Sequence, residues 1–304
     1  MAKYLDPKAD LTFKKIFGEH SDLVASLLNA LLPLPEDSRI ASVEYLQPEV
    51  VPDDPLHKDS IVDVRCRDQL GRQFVVEMQM IWTVDYAQRA LFNAAKAYVR
   101  QLPAGGDYRD LKTVYSLNLI NEVVNPDIPE YYNYYTLEHS RYKGRTIDGI
   151  QIIFVELPKF TPQTRAERRM QVLWLRFLTE INENTRKAPA ELEADPDVKR
   201  ALAIVEESAL DDAERARYDG FIDWLRRERG RARLEREYNE KVSRLETLEA
   251  ERDEERARAD AAAAERDAAV EKLRQTARAL KSMNLPVGQI AAATGLTGEE
   301  IDAL

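Results

Sequence analysis

Two acidic residues, Asp63 and Glu77, are spaced so that they should face each other across a predicted β-hairpin. The hairpin is the segment 61–80, in which two stretches suited to strands flank a three-residue loop that ends in Gly71. Glycine readily takes the left-handed conformation that such a loop needs. Pairing on either side of this loop puts the two carboxylates directly opposite each other, with β-carbons roughly 4.5–5.5 Å apart, where like charges repel.

A hard divalent cation between the two carboxylates would remove their repulsion. Mg²⁺ takes carboxylate oxygens at about 2.0–2.1 Å and keeps water molecules at its other positions. Gln79 lies two residues beyond Glu77, and therefore on the same face of the strand, where it could orient such a water. The alternative is a solvent-facing strand surface on which two acids meet by chance, and the spacing alone leaves both interpretations open.

Residue alternation predicts which side chains of the hairpin point to the core. One face is apolar, whereas the opposite face carries the two acids, Gln79 and two arginines. The predicted apolar face comprises Val62, Val64, Cys66, Phe74, Val76, Met78 and Met80.

Seven sequence segments together carry a resemblance to a known family. They are DPKADLTFKKIFG, VEYLQPE, the aspartate of IVDV, the EMQ of VVEMQM, QRALFNAAKAYVRQL, GGDYRDLKTVYSLNLI and VELPKF. With these segments the chain resembles the PD-(D/E)XK nuclease superfamily and, within it, the recombination-promoting nuclease (Rpn) family, also called the PD-(D/E)XK nuclease family transposases. The resemblance covers roughly residues 4 to 180, with a weaker echo in the C-terminal tail.

The resemblance implies a metal site in the hairpin. Asp63 and Glu77 would bind Mg²⁺ together with the backbone carbonyl of Met78. Mn²⁺ could replace Mg²⁺, and Ca²⁺ could bind without supporting catalysis. Gln79 occupies the place of the superfamily's usual lysine, and since an amide cannot carry positive charge, it can only orient water or phosphate. Val62 replaces the proline that precedes the motif aspartate, a structural position.

The resemblance also suggests further site residues on two helices. Nucleases of this superfamily commonly place an extra acid on the helix before the hairpin, and Asp10 is the first candidate, with Glu19 second. Asp10 is equally suited to cap that helix. Lys14 could meet phosphate, or it could be a solvated helix-surface lysine. Gln88 and Arg89 would approach the scissile phosphate, unless they form an ordinary surface pair.

Composition limits the binding partners and the cellular location that we expect for the protein. The net charge of −10 is unfavourable for general binding of nucleic acid, because contacts between basic residues and phosphates supply most nonspecific affinity. A local basic cleft can coexist with an acidic exterior. The single cysteine, Cys66, excludes an internal disulfide and favours a reduced, cytoplasmic location. No apolar run approaches the length of a membrane span, so we expect no membrane partner.

The pattern of predicted elements favours an α/β fold. We expect a restriction-endonuclease-like core over residues 1–185, with a mixed central sheet flanked by helices and a βαβ crossover after the hairpin. The crossover helix should begin at Asp85 and end at Leu102. Predicted sheet-facing positions of this helix are Leu91, Ala94, Ala95, Tyr98 and Val99. Five tyrosines in 131–142 could stack on bases or cover an edge of the core.

An all-α extension should follow the core. Residues 186–229 are expected to form short helices, and 230–281 a long charged helix whose weak heptad pattern fits either a coiled-coil homodimer or a solitary helix. The tail, 282–304, has a helix-turn-helix rhythm, with Gly295 as a stop and a capping box over Thr297 and Glu300. Its second helix has no Arg or Lys to read DNA, which favours self-packing.

The expected function is a Mg²⁺-dependent DNA endonuclease that hydrolyses phosphodiester bonds. The resemblance links it to recombination, mobile elements or phage defence. One rival is a catalytically inactive nuclease-fold adaptor or DNA-binding protein that acts through its coiled coil. A second rival is a transposase that performs strand transfer, although nothing in the sequence supplies a separate domain for recognising transposon ends.

Overall fold

The chain divides into two compact units, residues 1–229 and residues 230–304. The computed structural model describes residues 3–47, 49–50, 60–162 and 169–304.

Strands account for much of the first unit. They are β1 (Val43–Tyr45), β2 (Glu49–Val50), β3 (Ser60–Ile61), β4 (Val64–Asp68), β5 (Gln73–Gln79), β6 (Val114–Ile120), β7 (Tyr132–Tyr135) and β8 (Ile150–Glu156). Among the described residues, six of them form one sheet in the order β1-β4-β5-β6-β8-β7, and β2 pairs separately with β3. Strands β5, β6 and β8 are parallel, whereas β1, β4 and β7 add antiparallel pairs. The predicted mixed sheet is confirmed.

Helices flank the sheet and make up the C-terminal part of the chain. They are α1 (Asp10–Phe13), continued by a π-helical turn (Lys14–Gly18), α2 (Ser21–Leu31), α3 (Tyr86–Val99), α4 (Arg169–Glu180), α5 (Ala190–Glu193), α6 (Pro196–Ile204), α7 (Asp212–Ser282), α8 (Val287–Thr294) and α9 (Gly298–Asp302). Short 3₁₀ turns lie at Glu36–Ser38, Tyr108–Asp110, Leu157–Lys159 and Glu207–Ala209. The π-helical turn ends at Gly18.

Both faces of the sheet are covered, and β6 is therefore buried along its whole length. On one face, Val75 of β5 packs with Ala97 of α3. Val64 has the opposite parity and lies against Gly18, at the end of the π-helical turn. Helix α2, which follows that turn, packs against α4. The sheet thus carries helices on two sides, as in the predicted fold class.

Helix α3 meets the sheet through a face that matches the predicted one only in part. As predicted, Ala94 is buried and Tyr98 packs against the buried cluster that contains Val75. Leu91 and Val99 were also expected to be buried, but they are 51% and 69% exposed. The buried positions of the helix are Tyr86, Ala90, Asn93, Ala94 and Ala97. Small alanines let the helix approach the sheet closely, and the two polar side chains of this face find hydrogen-bond partners beneath the helix. These contacts outweigh the burial of two larger apolar side chains.

The first strand of the hairpin is also interrupted, contrary to the continuous alternation that was predicted. Strand β3 ends at Ile61 and β4 begins at Val64, with a bend at Asp63 between them. Val62 consequently packs with Val75 on the α3 side of the sheet, and it does not share the face of Val64. The bend shifts the alternation by one residue.

The long helix begins earlier than predicted. Helix α7 starts at Asp212, within the region 186–229 that was expected to contain only short helices, and both Gly220 and Gly230 lie inside it. Glycine costs about 1 kcal/mol relative to alanine in a helix interior, which the many good helix formers around these two positions offset. None of the described helices has the length and apolar character needed to span a membrane.

The tail packs on the end of α7 within the second unit. Ile290 of α8 and Ile301 of α9 are fully buried against Ala277 of α7. The predicted stop and capping box are confirmed, because Gly295 has φ 72° at the end of α8 and the side chain of Thr297 accepts a hydrogen bond from the Glu300 N–H. The tail is therefore a self-packed motif.

Part of the tyrosine-rich segment 131–142 covers an edge of the sheet. Tyr132 is half-buried, and its hydroxyl donates to the Leu31 carbonyl at 2.8 Å. Tyr134, Tyr135 and Tyr142 are 41%, 47% and 64% exposed. The segment thus covers an edge of the core at its start and leaves rings in solvent further along.

Candidate active site

Asp63 and Glu77 are held near each other by the hairpin. The predicted register is confirmed, since Val64 pairs with Val76, and Gly71 has the expected positive φ of 80°. Asp63 lies at the bend just before β4, and its Oδ2 accepts a hydrogen bond of 2.7 Å from the Met78 N–H. The Asp63 side chain therefore accepts a hydrogen bond from β5 at a position where a continuous strand would use its backbone. This bond holds the Asp63 carboxylate beside β5.

Glu77 is buried in a polar network under α3. Its side chain is 7% exposed, and its Oε1 accepts a hydrogen bond of 2.7 Å from Nδ2 of Asn93. The Tyr86 hydroxyl lies 3.5 Å from Oε2 of Glu77 and donates to Oδ1 of Asn118 at 2.9 Å. Asn118 is the partner of Glu77 in the β5–β6 register. The network fixes one rotamer of the glutamate.

Burial makes the ionised form of both acids costly. Desolvation raises the pKa of Asp63, against the smaller lowering effects of the Met78 N–H and Lys14. Desolvation also raises the pKa of Glu77, where the Asn93 hydrogen bond acts in the opposite direction and the charge of Asp63 adds to the rise. The two carboxylates are thus close enough to repel. A bound cation would offset both the desolvation and the repulsion.

The backbone carbonyl of Met78 faces the same gap as Asp63. In β5 the backbone groups of odd-numbered residues form hydrogen bonds with the β6 side of the sheet, as the N–H of Gln73 and the carbonyl of Gln79 do. The backbone N–H and C=O groups of even-numbered residues therefore point toward β4. The Met78 N–H accordingly meets Asp63. Because the N–H and C=O of an extended residue point to the same side, the Met78 carbonyl is aimed at the space where β4 has ended.

Asp63, Glu77 and the Met78 carbonyl therefore offer oxygen atoms from neighbouring positions of the hairpin. Hard oxygen ligands suit Mg²⁺, Mn²⁺ and Ca²⁺. In the part of the chain that the structure describes, no group of three or more His, Cys, Asp or Glu side chains could hold a metal ion. Any further ligands would have to come from backbone, water or substrate, which agrees with the preference of Mg²⁺ for keeping several waters.

Asp10 is linked to the acid pair through Lys14, and its negative charge also contributes to raising the pKa of Asp63. The Lys14 ammonium lies 2.6 Å from Oδ1 of Asp10 and 3.8 Å from Oδ1 of Asp63. Burial alone would lower the pKa of Lys14, but the hydrogen bond and charge of Asp10, together with Asp63, raise it, so the lysine stays protonated. Glu19 is exposed, and its negative charge contributes to raising the pKa of Tyr45.

Arg89 and Gln79 form the outer wall of the site. The Arg89 Nη2 donates to Oε1 of Gln79 at 2.8 Å, and its guanidinium lies 4.7 Å from the centre of the Tyr86 ring. The amide nitrogen of Gln79 donates in turn to the Ile81 carbonyl. Both polar atoms of the Gln79 amide are thus hydrogen-bonded, whereas the Arg89 side chain is exposed to solvent. Gln88 is exposed, and its approach to the scissile phosphate stays a prediction.

Sequence reasoning missed the residues that orient Glu77. Asn93 and Tyr86 lie four residues after and three residues before Arg89 on α3, which is the spacing of one helix face. This spacing relative to Arg89 was the available signal. Asn118 had no such signal, because only the parallel pairing of β5 with β6 brings it next to Glu77.

Comparison with known proteins agrees with this geometry. The family model described as PD-(D/E)XK nuclease family transposase matches residues 7–223, which include the hairpin, α3 and the parallel strands. No curated protein and no solved structure matches the chain. Since the match spans well over half of the sequence, the chain belongs to the PD-(D/E)XK nuclease family transposases.

Proposed function

We propose that this protein is a Mg²⁺-dependent DNA endonuclease whose site is built on Asp63 and Glu77. The observation that carries the proposal is a buried glutamate beside a partly buried aspartate, each fixed by a hydrogen bond from a neighbouring element, at distances of 2.7 Å in both cases. Two repelling acids held side by side cost stability, and a bound cation would offset that cost. Membership of a nuclease family supports the same conclusion.

Asp63, Glu77 and the Met78 carbonyl would hold the cation. When bound, the metal ion polarises a phosphate and lowers the pKa of a water molecule. Arg89, exposed beside the acids, would bind a non-bridging phosphate oxygen with its guanidinium. Lys14 keeps its proton and would neutralise charge on the phosphate from the opposite side. Gln79 cannot donate a positive charge, so its part is to hold Arg89 in place.

Asn93→Ala should weaken metal binding without removing a ligand. The Asn93 amide orients Oε1 of Glu77, and loss of such an outer partner typically lowers metal affinity about 10- to 100-fold. Titration with Mn²⁺, followed by calorimetry, measures the change. A dissociation constant equal to that of the wild-type protein would show that Asn93 serves only the packing of α3.

Supercoiled plasmid tests the proposed reaction directly. Incubation of the wild-type protein with Mg²⁺ should yield nicked or linear DNA, and EDTA should prevent it. Binding without any cleavage would favour the inactive adaptor or DNA-binding protein. Joined donor and target molecules would show strand transfer and would favour the transposase. The biological setting (recombination, mobile elements or phage defence) and a cytoplasmic location belong to this proposal.

The proposed partner of the second unit is another copy of the same chain. Apolar side chains at heptad spacing on α7 are largely exposed, among them Leu245 at 61% and Leu248 at 53%. The double substitution Leu245→Glu/Leu248→Glu should convert a dimer into a monomer, because it places charges in the seam of a coiled coil. Sedimentation equilibrium of the full chain measures the mass. A wild-type protein that is monomeric at all concentrations would leave α7 a solitary charged helix.

A further inference from the structure

Helix α3 is positively charged in a chain that is acidic overall. The segment 86–102 contains Arg89, Lys96 and Arg100 and has no Asp or Glu, whereas the whole chain has a net charge of −10. Such a local concentration of one sign marks a surface for a partner of opposite charge. The segment includes the residue that forms the outer wall of the candidate site.

The three basic residues lie on one face of the helix. At 3.6 residues per turn, positions 7 and 11 residues apart differ by about 20° around the helix axis. The rise of 1.5 Å per residue places Lys96 about 10 Å and Arg100 about 16 Å from Arg89 along the axis. We call these three residues the α3 stripe. It begins beside the acids, because Arg89 donates to Gln79 at 2.8 Å, and it runs away from them.

Exposed apolar side chains accompany the α3 stripe. Phe92 is 44% exposed and carries the Lys96 ammonium 4.9 Å above its ring centre. Leu91 and Val99 are 51% and 69% exposed, and they are the residues that were wrongly predicted to face the sheet. A helix face that combines basic and apolar side chains suits a ligand with both charged and flat surfaces.

We propose that the α3 stripe binds consecutive phosphates of the substrate strand on one side of the scissile bond. This proposal rests on the proposed endonuclease function. Phosphates of one strand turn around the duplex axis as well as rising about 3.4 Å per nucleotide along it, so Lys96 and Arg100 would meet phosphates within a few nucleotides of the one at Arg89. The exposed apolar side chains would lie along sugars and bases.

Nucleic acid fits the α3 stripe better than an acidic protein does. The stripe starts at a residue that lowers the pKa of both Asp63 and Glu77 and so belongs to the site. Any DNA chain whose phosphate reaches these acids must leave the site along a neighbouring surface, and the surface of α3 carries the complementary charge. An acidic protein would have no such continuity with the site.

The salt dependence of DNA binding tests the α3 stripe. Each phosphate contact contributes about 0.9 to the slope of log K against log salt for duplex DNA. The variant Lys96→Ala/Arg100→Ala should therefore reduce the slope by about 1.8 and weaken binding of a labelled duplex in Ca²⁺. The control Arg141→Ala/Lys143→Ala removes the same charge from an exposed loop and should leave the slope unchanged. Melting temperatures establish that both variants are folded.

Two outcomes separate this proposal from the endonuclease proposal. Hydrolysis of bis(p-nitrophenyl) phosphate by the wild-type protein in Mg²⁺ tests the chemistry alone, because this small diester has no chain to reach the α3 stripe. If neither this diester nor supercoiled plasmid is cleaved in Mg²⁺, the endonuclease proposal fails, whatever the slopes show. If the diester is hydrolysed but the stripe variant binds duplex DNA with the wild-type slope, the DNA takes another path and the α3 stripe serves a different partner.

Discussion

Glu77→Gln should abolish Mg²⁺-dependent DNA cleavage and, in the same molecule, raise the melting temperature of the metal-free protein at neutral pH. Activity should fall by at least about 10²- to 10³-fold, the size of losing one preorganised electrostatic contact. Stability should rise because the amide keeps the shape of the side chain and can still accept from Asn93, while it removes a charge from a buried position. The opposite directions of the two effects identify a carboxylate retained for binding.

The pH dependence of this stability difference has a defined sign. Burial raises the pKa of Glu77 in the folded protein, so the unfolded chain loses this proton at lower pH than the folded one. Protonation of Glu77 contributes to the stability of the wild-type protein. This contribution is fully present below the ordinary glutamate pKa of about 4.3, and it is lost as the pH rises through the pKa of Glu77 in the folded protein. The advantage of Glu77→Gln should therefore be absent in acid and largest above the folded pKa.

Thermal unfolding in EDTA, from acid to neutral pH, measures the stability difference between the wild-type protein and Glu77→Gln. Glu44→Gln is the matched control, because Glu44 lies on edge strand β1 with a side chain that is 67% exposed, and it should change neither property. Mg²⁺ should raise the melting temperature of the wild-type protein and not that of Glu77→Gln, since only the former binds it tightly. A Glu77→Gln protein that cleaves DNA at the wild-type rate would end the proposal.

Arg89→Ala should lower kcat/KM by about 10²- to 10³-fold while leaving metal affinity intact or improved. The guanidinium is expected to bind the phosphate, but its positive charge opposes a divalent cation at the neighbouring acids. Arg89 also lowers the pKa of Asp63 and Glu77, so its removal should shift the acid limb of the pH–rate profile to higher pH.

Three measurements distinguish this role from simple damage to the fold. Calorimetry with Mn²⁺ reports metal affinity, the pH–rate profile reports the two acids, and Arg89→Lys should recover part of the activity, because lysine keeps the charge and loses the planar fork. Arg109→Ala, which removes an exposed arginine paired with Asp107 at 2.5 Å, is the control. Equal loss of metal affinity and activity in Arg89→Ala would make Arg89 a structural support of the acid pair.

Much of the candidate site could be predicted from local sequence. Alternation around Gly71 determines the register of β4 and β5, and hence which residue lies opposite Glu77. The reason is that hairpin pairing over a short loop allows few alternatives. The same holds for the capping box at Thr297, which depends on residues three positions apart. Family membership also followed from motifs in the sequence and is confirmed by the match over residues 7–223.

Contacts between elements that are far apart in the chain could not be predicted from local sequence patterns. Hydrophobic periodicity predicted the inward positions of Ala94 and Tyr98 but wrongly favoured burying Leu91 and Val99. The observed face instead carries Asn93, which donates to Glu77, and alanines that permit close approach. The role of Asp10 as an extra acid of the site stays a prediction. In the structure Asp10 pairs with Lys14, four residues later in the chain, and only the folding of this segment against the bend at Asp63 brings Lys14 to 3.8 Å from Asp63.

The sequence by itself determined the hairpin, the acid pair, the class of fold and the family. These depend on residues close together in the chain, where alternation, turn geometry and caps leave little freedom. Only the tertiary structure decided which side chains surround the acids and which face of α3 remains in solvent. Those outcomes depend on which polar groups find partners when separate elements pack, and a buried Glu77 that needs Asn93 decides the orientation of a whole helix.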